Sequence, residues 1–465
     1  MLDSQGEEET PSHCLARQDA ENQELVNAGF RDPGRQDREA RRTPCKGTRA
    51  MTGRSSALRS ETGSEPSNSS AVLPGRPLND SWITTSNLGR IEAVGSFRRV
   101  REILSSRGGF SRATVEEPVE EVLGHDQDQR EDDAQLKHFP IFEPVEQVPN
   151  AKRAWIDLGS PLPRERDHVF RYFLDGSLRT YRWGEKVEGG TSFPVIVTEL
   201  GCAVVKRSHA GIVKTHTFKR RLCLLLPPAP PVSSDTASEL AALAAGGHHN
   251  SRISLEVVHL LRERHQGDLR SALLGKARSV MHELEVQVAS NLRRESDDWL
   301  VIDGAIRKGI FVDLPRTIGV AKSFSRSPLF VFPPAHRPVD VVSMLRGMPE
   351  SSRTPVFLPR QKSQTTDARE GQRVASWYVR IRRPQTRGFP LEGIVKIDYV
   401  VEGEWKSDRD LPIVERLSRA LVAERSVSSY PTPRWATHLY PVYCAENYLK
   451  ASLLNPIVMR GIMEA

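Results

Sequence analysis

Apolar side chains after residue 139 are spaced in a way that predicts strands first and a mixture of helices and strands later. Runs rich in β-branched and aromatic residues indicate strands, and Pro227 and Pro228 end one of them. We interpret HVFRYFLDGSLRTYRW as two strands joined by a tight turn, because Asp-Gly is the commonest hairpin turn. The runs FPVIVTELGCAVVKR and TFKRRLCLLLPP predict two further strands.

Two longer helices are predicted over residues 252–264 and 268–293. In the second, apolar residues recur at three- and four-residue steps and form one stripe, which is typical of a helix packed on a core. The stripe consists of Leu273, Ala277, Val280, Leu284, Val288 and Leu292. An Ala-rich helix ended by Gly246 and Gly247 comes before them. LPIVERLSRALVAER, with Pro412 in its first turn, and YPVYCAENYLKASLL predict two later helices.

Short strands alternate with these helices in the later part of the chain. DDWLVIDG and TIGVAKS predict buried strands, and VASWYVRIRRP and EGIVKIDYVV predict a hairpin or an adjacent pair. Strands that come first and then mix with helices favour an α/β or α+β class. We expect an α/β fold with a mixed sheet flanked by helices.

Composition divides the chain into two parts. Apolar residues make up about 27% of residues 1–135 and about 42% of the rest. The first value is too low to build a core and the second is normal for a globular domain. We therefore predict a long, disordered, acidic N-terminal tail over residues 1–138, with one short helix at Ile91–Leu104, and a folded domain over 139–465.

Charge, cysteines and hydropathy limit the classes of protein that remain. The N-terminal part has a net charge near −6 and the rest near +13, and a basic domain favours a polyanionic partner. The five cysteines are scattered, without a C-x-x-C pair, which argues against a zinc site and a disulfide framework. No apolar run is long enough to span a membrane, and the acidic N-terminus does not resemble a secretory signal. A reducing, cytoplasmic location fits these features.

Two Asp-Gly pairs that follow apolar runs are candidates for chemistry. They contain Asp175, in YFLDGS, and Asp303, in WLVIDGA. A buried strand that ends in an aspartate places a carboxylate in a cleft, and the glycine permits a close approach of backbone or substrate. Either pair alone is more simply explained as a turn.

A third carboxylate is expected from the helix before the second Asp-Gly pair. On a helical wheel Glu285 lies at the edge of the apolar stripe, whereas Glu283 points further toward solvent. Three carboxylates from two strands and one helix suit two divalent cations about 4 Å apart. Lys322, in GVAKS, is a candidate contact for a phosphate oxygen, although an ordinary surface lysine explains it as well.

Seven blocks in a fixed order resemble the NurA nuclease family, whose members have an RNase H-like fold. The resemblance covers residues 167–455. The blocks are FLDGS (173–177), the helix MHELEVQVA, LVIDGAI (300–306), TIGVAKS (317–323), SWYVRI (376–381), GIVKIDY (393–399) and YPVYCAENYLKAS (440–452). Each block is weakly diagnostic alone, and the order of all seven makes the resemblance specific.

The resemblance implies a DNA nuclease that depends on Mn²⁺ or Mg²⁺ and acts in 5′-end resection and DNA repair. It also implies a homodimer that docks on a HerA-type hexameric ATPase. Asp175, Glu285 and Asp303 would be the metal ligands. Where the family often has a histidine after an alanine, this chain has Glu446, which we take as the fourth ligand.

Basic residues are the expected contacts to DNA. Besides Lys322, we predict that Arg380 in the run WYVRIRRP and Lys396 contact the phosphate backbone. In the late strand, Lys396 and Asp398 stand where the family has an arginine and a glutamate.

Two other functions are considered beside the nuclease. The first is a catalytically silent subunit on the same fold that binds DNA or docks on the ATPase, which the missing histidine favours. The second is a phosphatase with an aspartate nucleophile, which would need another aspartate at the position of Ser177. We set the phosphatase aside for that reason.

Overall fold

Three long antiparallel strands form the centre of a computed structural model of the chain. They are β4 (Phe170–Glu188), β5 (Thr191–Arg207) and β6 (Val213–Leu226). The structure describes residues 81–112, 141–146, 155–162, 168–228, 230–246, 255–259, 268–306, 314–333, 338–359, 373–384, 389–425 and 435–464.

Shorter strands extend this centre on both sides. They are β1 (Gly109–Arg112), β2 (Ile141–Pro144), β3 (Ile156–Asp157), β7 (Leu255–His259), β8 (Trp299–Asp303), β9 (Thr317–Ala321), β10 (Leu329–Val331), β11 (Pro338–Asp340), β12 (Ser352–Arg353), β13 (Phe357–Pro359), β14 (Arg373–Arg380) and β15 (Ile394–Val401). The order along the sheet is β11-β10-β2-β13-β14-β15-β9-β8-β4-β5-β6-β7, and β8 runs parallel to both β4 and β9. The predicted mixed α/β class is confirmed.

Helices cover both faces of the sheet. They are α1 (Ser81–Ser106), α2 (Ser234–Gly246), α3 (Leu269–Glu295), α4 (Val341–Leu345), α5 (Ser407–Glu424), α6 (Tyr440–Ser452) and α7 (Pro456–Glu464). The predicted stripe of α3 is buried against β4, β5 and β6, and Asp268 caps its first turn. Residues of α5 and α6 pack on the opposite face, together with Phe173 of β4. Within the described part of the chain, no helix is long and apolar enough to cross a membrane.

The predicted turn at Asp175–Gly176 is wrong. β4 runs without a break through this pair, with Asp175 opposite Ala203 and Gly176 opposite Cys202 of β5. The hairpin turn lies instead at Gly189 and Gly190, whose positive φ angles of 57° and 79° suit a tight two-residue connection. Continuous pairing with β5 outweighs the local preference of Asp-Gly for a turn.

The helix predicted over residues 252–264 is also wrong in its described part. Leu255–His259 forms β7, which pairs parallel to β6 at the edge of the sheet. The segment LEVVH contains two adjacent valines, and pairing with β6 satisfies the backbone polar groups on that side of the strand. Periodicity alone does not distinguish a strand from a helix in an apolar run as short as this one.

The folded part begins earlier than the predicted boundary at residue 139. The structure forms a compact unit over Pro77–Ala465, and β1 pairs with β4. The short helix predicted at Ile91–Leu104 lies inside the longer α1, whose Phe97 packs edge-on against Trp183 of β4. One stripe of this helix is therefore part of the core, although its surroundings in sequence are polar. The disorder predicted for residues 1–80 lies outside the described residues.

Candidate active site

The candidate site lies where β8 ends and β4 continues. β4 and β8 pair in parallel as far as Leu174 and Ile302, so that Asp175 and Asp303 follow next on neighbouring strands. Asp303 is in turn opposite Val320 of β9, and Lys322 comes directly after that strand. The parallel strands β8 and β9 both end here, and ligands bind at the carboxyl ends of parallel strands in open α/β sheets.

Asp175 is a buried acidic group at this edge. Its residue is 8% exposed. Burial raises the pKa of Asp175 well above its ordinary value, and the negative charge of Asp303 raises it further. Glu446 and Glu285 act in the same direction, whereas Lys322 lowers it. The charges of these four predicted side chains therefore act on Asp175, and their role as one site stays a prediction.

Lys322 supplies positive charge within the cluster. Its ammonium nitrogen lies 2.8 Å from Oδ2 of Asp303, and its side chain is 7% exposed. Burial lowers the pKa of Lys322, but the charges of Asp303 and Asp175 outweigh burial and raise it above its ordinary value. Lys322 is therefore a buried, charged partner of the aspartates and not an ordinary surface lysine.

Glu285 lies on α3, which packs on the face of β4 opposite α6. Its carboxylate lies against the backbone at Gly176, where a Cβ atom would overlap it. Oε2 of Glu285 is 2.9 Å from Nδ1 of His282, one turn earlier on α3. The side chain of Glu283, in contrast, is 56% exposed and lies near Lys276. The choice of Glu285 over Glu283 agrees with this geometry, and Gly176 is needed because of it.

Glu446 reaches the cluster from α6. The ammonium group of Lys450, one turn later, lies 2.8 Å from its Oε1. Burial raises the pKa of Glu446, but Lys450 and the charge of Lys322 outweigh burial and hold it below its ordinary value. Glu446 is therefore an ionised carboxylate at the border of the cluster, in the position predicted for a fourth ligand.

Arg380 and Lys396 differ in their access to a ligand. Arg380 is 1% exposed, and its guanidinium donates to the carbonyl oxygens of Glu392 and Pro390 at 2.5 and 2.6 Å. The prediction that Arg380 contacts DNA is therefore wrong, because the side chain is used inside the protein. Lys396 is half-buried, and its Nζ lies 2.9 Å from Oδ1 of Asp398.

Asp398 also lies in the site region, although the sequence analysis assigned it no role in the site. It is 2% exposed and accepts hydrogen bonds from Oγ of Ser376 at 2.6 Å and from the backbone N–H of Ile306 at 3.2 Å. The second bond fixes the chain directly after Asp303, where Gly304 has a φ of 130° that favours glycine. His282, which holds Glu285, was missed as well, although its i,i+3 spacing was visible.

The oxygen-rich side chains suit a hard divalent cation such as Mg²⁺ or Mn²⁺. Burial and the charge of Asp303 raise the pKa of Asp175, and a bound cation would favour its ionised form. The side chains stand apart, however: within the described residues, no three His, Cys, Asp or Glu side chains are close enough to hold one metal ion. Metal binding would require the carboxylates to turn toward one another. Asp175, Asp303, Glu285 and Glu446 fit the ion by their chemistry.

Comparisons with known proteins do not add to this geometry. A scan against protein-family models finds no match for the chain, and a search of curated proteins finds none either. The candidate site therefore rests on the arrangement of its own side chains.

Proposed function

We propose that this chain is a metal-dependent DNA nuclease of the NurA type, which hydrolyses phosphodiester bonds with two Mn²⁺ or Mg²⁺ ions. The observation that supports it best is the buried Asp175, on which the charges of Asp303, Glu446 and Glu285 act. Lys322 is bonded to Asp303 beside it. Buried like charges cost free energy, and groups with strongly shifted pKa values concentrate at functional sites.

The strand order supports the finer proposal of an RNase H-like fold. The antiparallel strands β4, β5 and β6 are followed, across α3, by the parallel strands β8 and β9, which lie on the other side of β4. This arrangement delivers Asp175 and Asp303 side by side and sets Glu285 of α3 next to them. It is the placement of carboxylates that the resemblance to NurA nucleases implies.

Each side chain has a separate part in the proposed mechanism. Asp175 and Asp303 would hold the ions from adjacent strands, Glu285 from the helix and Glu446 from α6. Bound divalent cations activate a water molecule and stabilise the leaving oxygen of the phosphodiester. Glu285, held by His282, would help to hold an ion and would orient the attacking water. Lys322 compensates negative charge on the phosphate.

The proposal includes the partners that the resemblance implies. The chain would act as a homodimer on single- or double-stranded DNA ends, together with a HerA-type hexameric ATPase, in the cytoplasm. Lys396 remains a proposed DNA contact, since its side chain is 22% exposed. The net charge of +7 for the whole chain is compatible with a polyanionic substrate.

A cleavage assay tests the proposed function. Purified protein is incubated with end-labelled single- and double-stranded DNA in Mn²⁺, Mg²⁺ or chelator, with and without the ATPase. We expect metal-dependent degradation that Asp303→Asn and Glu285→Gln abolish. Glu283→Gln is the matched control, because it removes the same charge from the exposed side of the same helix. Equal activity of Glu285→Gln and Glu283→Gln would contradict the assignment of the site.

A catalytically silent subunit on the same fold is the second candidate. The observation that favours it is that Lys322 already neutralises Asp303, and that the carboxylates do not stand together as a ligand set among the described residues. In that case wild type and variants would bind DNA or the ATPase equally well and cut nothing under any metal condition.

A further inference from the structure

A basic cavity lies at the other end of these strands, near the start of β4 and just before β8. Its volume is about 370 Å³. The side chains of Arg171, Lys206 and Lys214 contribute positive charge, and Asp298 is the acidic residue of the lining. The cavity therefore has the opposite sign of charge from the carboxylate cluster.

The three cations have no carboxylate partner in the described part of the chain. Arg207, which also lines the cavity, is neutralised by two hydrogen bonds to Glu424. Lys206 lies over the ring of Tyr172, at 5.0 Å from its centre, and its side chain reaches solvent. Unpaired positive charge around one cavity makes it electropositive, and such a cavity concentrates anions.

Arg171 provides a second and independent observation. One terminal nitrogen, Nη2, lies 2.7 Å from Nδ1 of His209. The other, Nη1, is buried and has no hydrogen-bond partner among the described residues. Buried donors of this kind are nearly always satisfied, so that an orphaned guanidinium N–H points to an acceptor from outside the protein.

We infer that this cavity binds a phosphate group. A planar guanidinium beside two flexible ammonium groups is the usual recognition set for a phosphate, which carries more charge and more acceptor oxygens than a carboxylate. The phosphate belongs either to a small molecule or to the backbone of a nucleic acid. Nη1 of Arg171 would donate to it, and Lys206 and Lys214 would neutralise it.

This site is separate from the carboxylate cluster. Arg171 precedes Asp175 by four residues on β4, which corresponds to roughly 13 Å along a strand. Binding of phosphate should therefore need neither a divalent cation nor Asp175. The test of phosphate binding can therefore succeed or fail whether or not the chain cleaves DNA.

Calorimetry with inorganic phosphate and tripolyphosphate tests the inference, in low-salt buffer with chelator present. We expect Arg171→Gln to weaken binding at least tenfold and Lys206→Gln to weaken it severalfold. Lys206 is exposed, so its substitution does not threaten folding. Lys276→Gln on α3 removes the same charge elsewhere and should bind as wild type does. Equal affinities for wild type, Arg171→Gln and Lys206→Gln would overturn the inference, as would the absence of binding to wild type.

The same variants distinguish the source of the phosphate. Anisotropy of a labelled single-stranded oligonucleotide is followed against salt concentration, again with chelator so that no strand is cut. If the phosphate belongs to a nucleic acid, Arg171→Gln should weaken oligonucleotide binding and reduce the salt slope by about one. If it belongs to a small molecule, only the calorimetric affinities should change. Both results support the phosphate site, and unchanged values in both assays refute it.

Discussion

Two groups of buried charged side chains lie on the same sheet and differ in their balance of charge. Arg207 of β5 and Glu424 of α5 are each 5% exposed and are joined by two hydrogen bonds, one cation to one carboxylate. Asp175 is instead acted on by the charges of three other carboxylates, those of Asp303, Glu285 and Glu446. The ammonium groups bonded to these carboxylates in the described structure are those of Lys322 and Lys450.

The difference separates a structural role from a functional one. A matched buried pair holds two elements in register, here β5 and α5, and its charges compensate each other. An excess of buried negative charge destabilises the fold and is retained where a site needs it. Removing a carboxylate should therefore have opposite consequences for stability in the two groups.

The largest effect is expected at the balanced pair. Glu424→Gln leaves the buried guanidinium of Arg207 without a counter-charge, and the free energy of unfolding should fall by about 3–5 kcal/mol. Urea unfolding followed by circular dichroism measures it. Glu402→Gln, which alters an exposed glutamate, should change stability by less than about 0.5 kcal/mol. If Glu424→Gln changed the free energy of unfolding as little as Glu402→Gln does, the Arg207–Glu424 pair would not stabilise the fold as proposed.

Asp175→Asn should show the opposite behaviour. Metal-dependent cleavage should fall by about 10²–10³-fold, which corresponds to a loss of about 3–4 kcal/mol of transition-state stabilisation. The free energy of unfolding in chelator should stay the same or rise, because the variant removes a buried charge that burial and Asp303 disfavour. Single-turnover kinetics and urea unfolding of one preparation test both parts. If Asp175→Asn has a lower free energy of unfolding than wild type, Asp175 has a structural role like that of Glu424.

A smaller loss is expected at Asp398, which holds the backbone after Asp303. Asp398→Asn keeps the shape of the side chain but weakens its bonds to Ile306 N and Lys396. We expect kcat to fall about tenfold, close to the free energy of one hydrogen bond to a charged group, with KM unchanged. A change confined to KM would show that this region acts through DNA binding by Lys396.

The smallest effect is a dependence of stability on pH. Because the folded-state pKa of Asp175 lies above its unfolded value, protonation stabilises the folded state. That contribution is fully present below the unfolded pKa and is lost as pH rises through the folded pKa. In chelator, wild type should therefore lose stability relative to Asp175→Asn as pH increases from about 4 toward neutral. Parallel curves for the two proteins would contradict the assignment of the shift to Asp175.

Much of the site could be predicted because its signals are local. The stripe of α3 fixes which side of the helix is buried, so it separates Glu285 from Glu283 without any knowledge of the fold. Two apolar runs that each end in Asp-Gly indicate that Asp175 and Asp303 lie at strand positions. Their proximity, in contrast, depends on the parallel pairing of β4 with β8.

The failures concern features that depend on distant parts of the chain. β4 continues through Gly176 because β5 pairs with it and because Glu285 needs the space of a missing Cβ. Arg380 is buried because the carbonyl oxygens of Pro390 and Glu392 satisfy its guanidinium, which a basic run does not reveal. The low apolar content of residues 1–135 assigned the predicted helix around Phe97 to a disordered tail, whereas Phe97 is part of the core.

The central claim is that the carboxylates around Asp175 form a site for a divalent cation. Its most direct test is a Mn²⁺ titration followed by electron paramagnetic resonance, with wild type, Asp175→Asn, Glu285→Gln and Glu283→Gln. We predict that wild type and Glu283→Gln bind Mn²⁺ with equal affinity and that the other two variants bind at least tenfold more weakly. Equal binding by wild type and Asp175→Asn, or no binding by wild type at millimolar Mn²⁺, would contradict the claim.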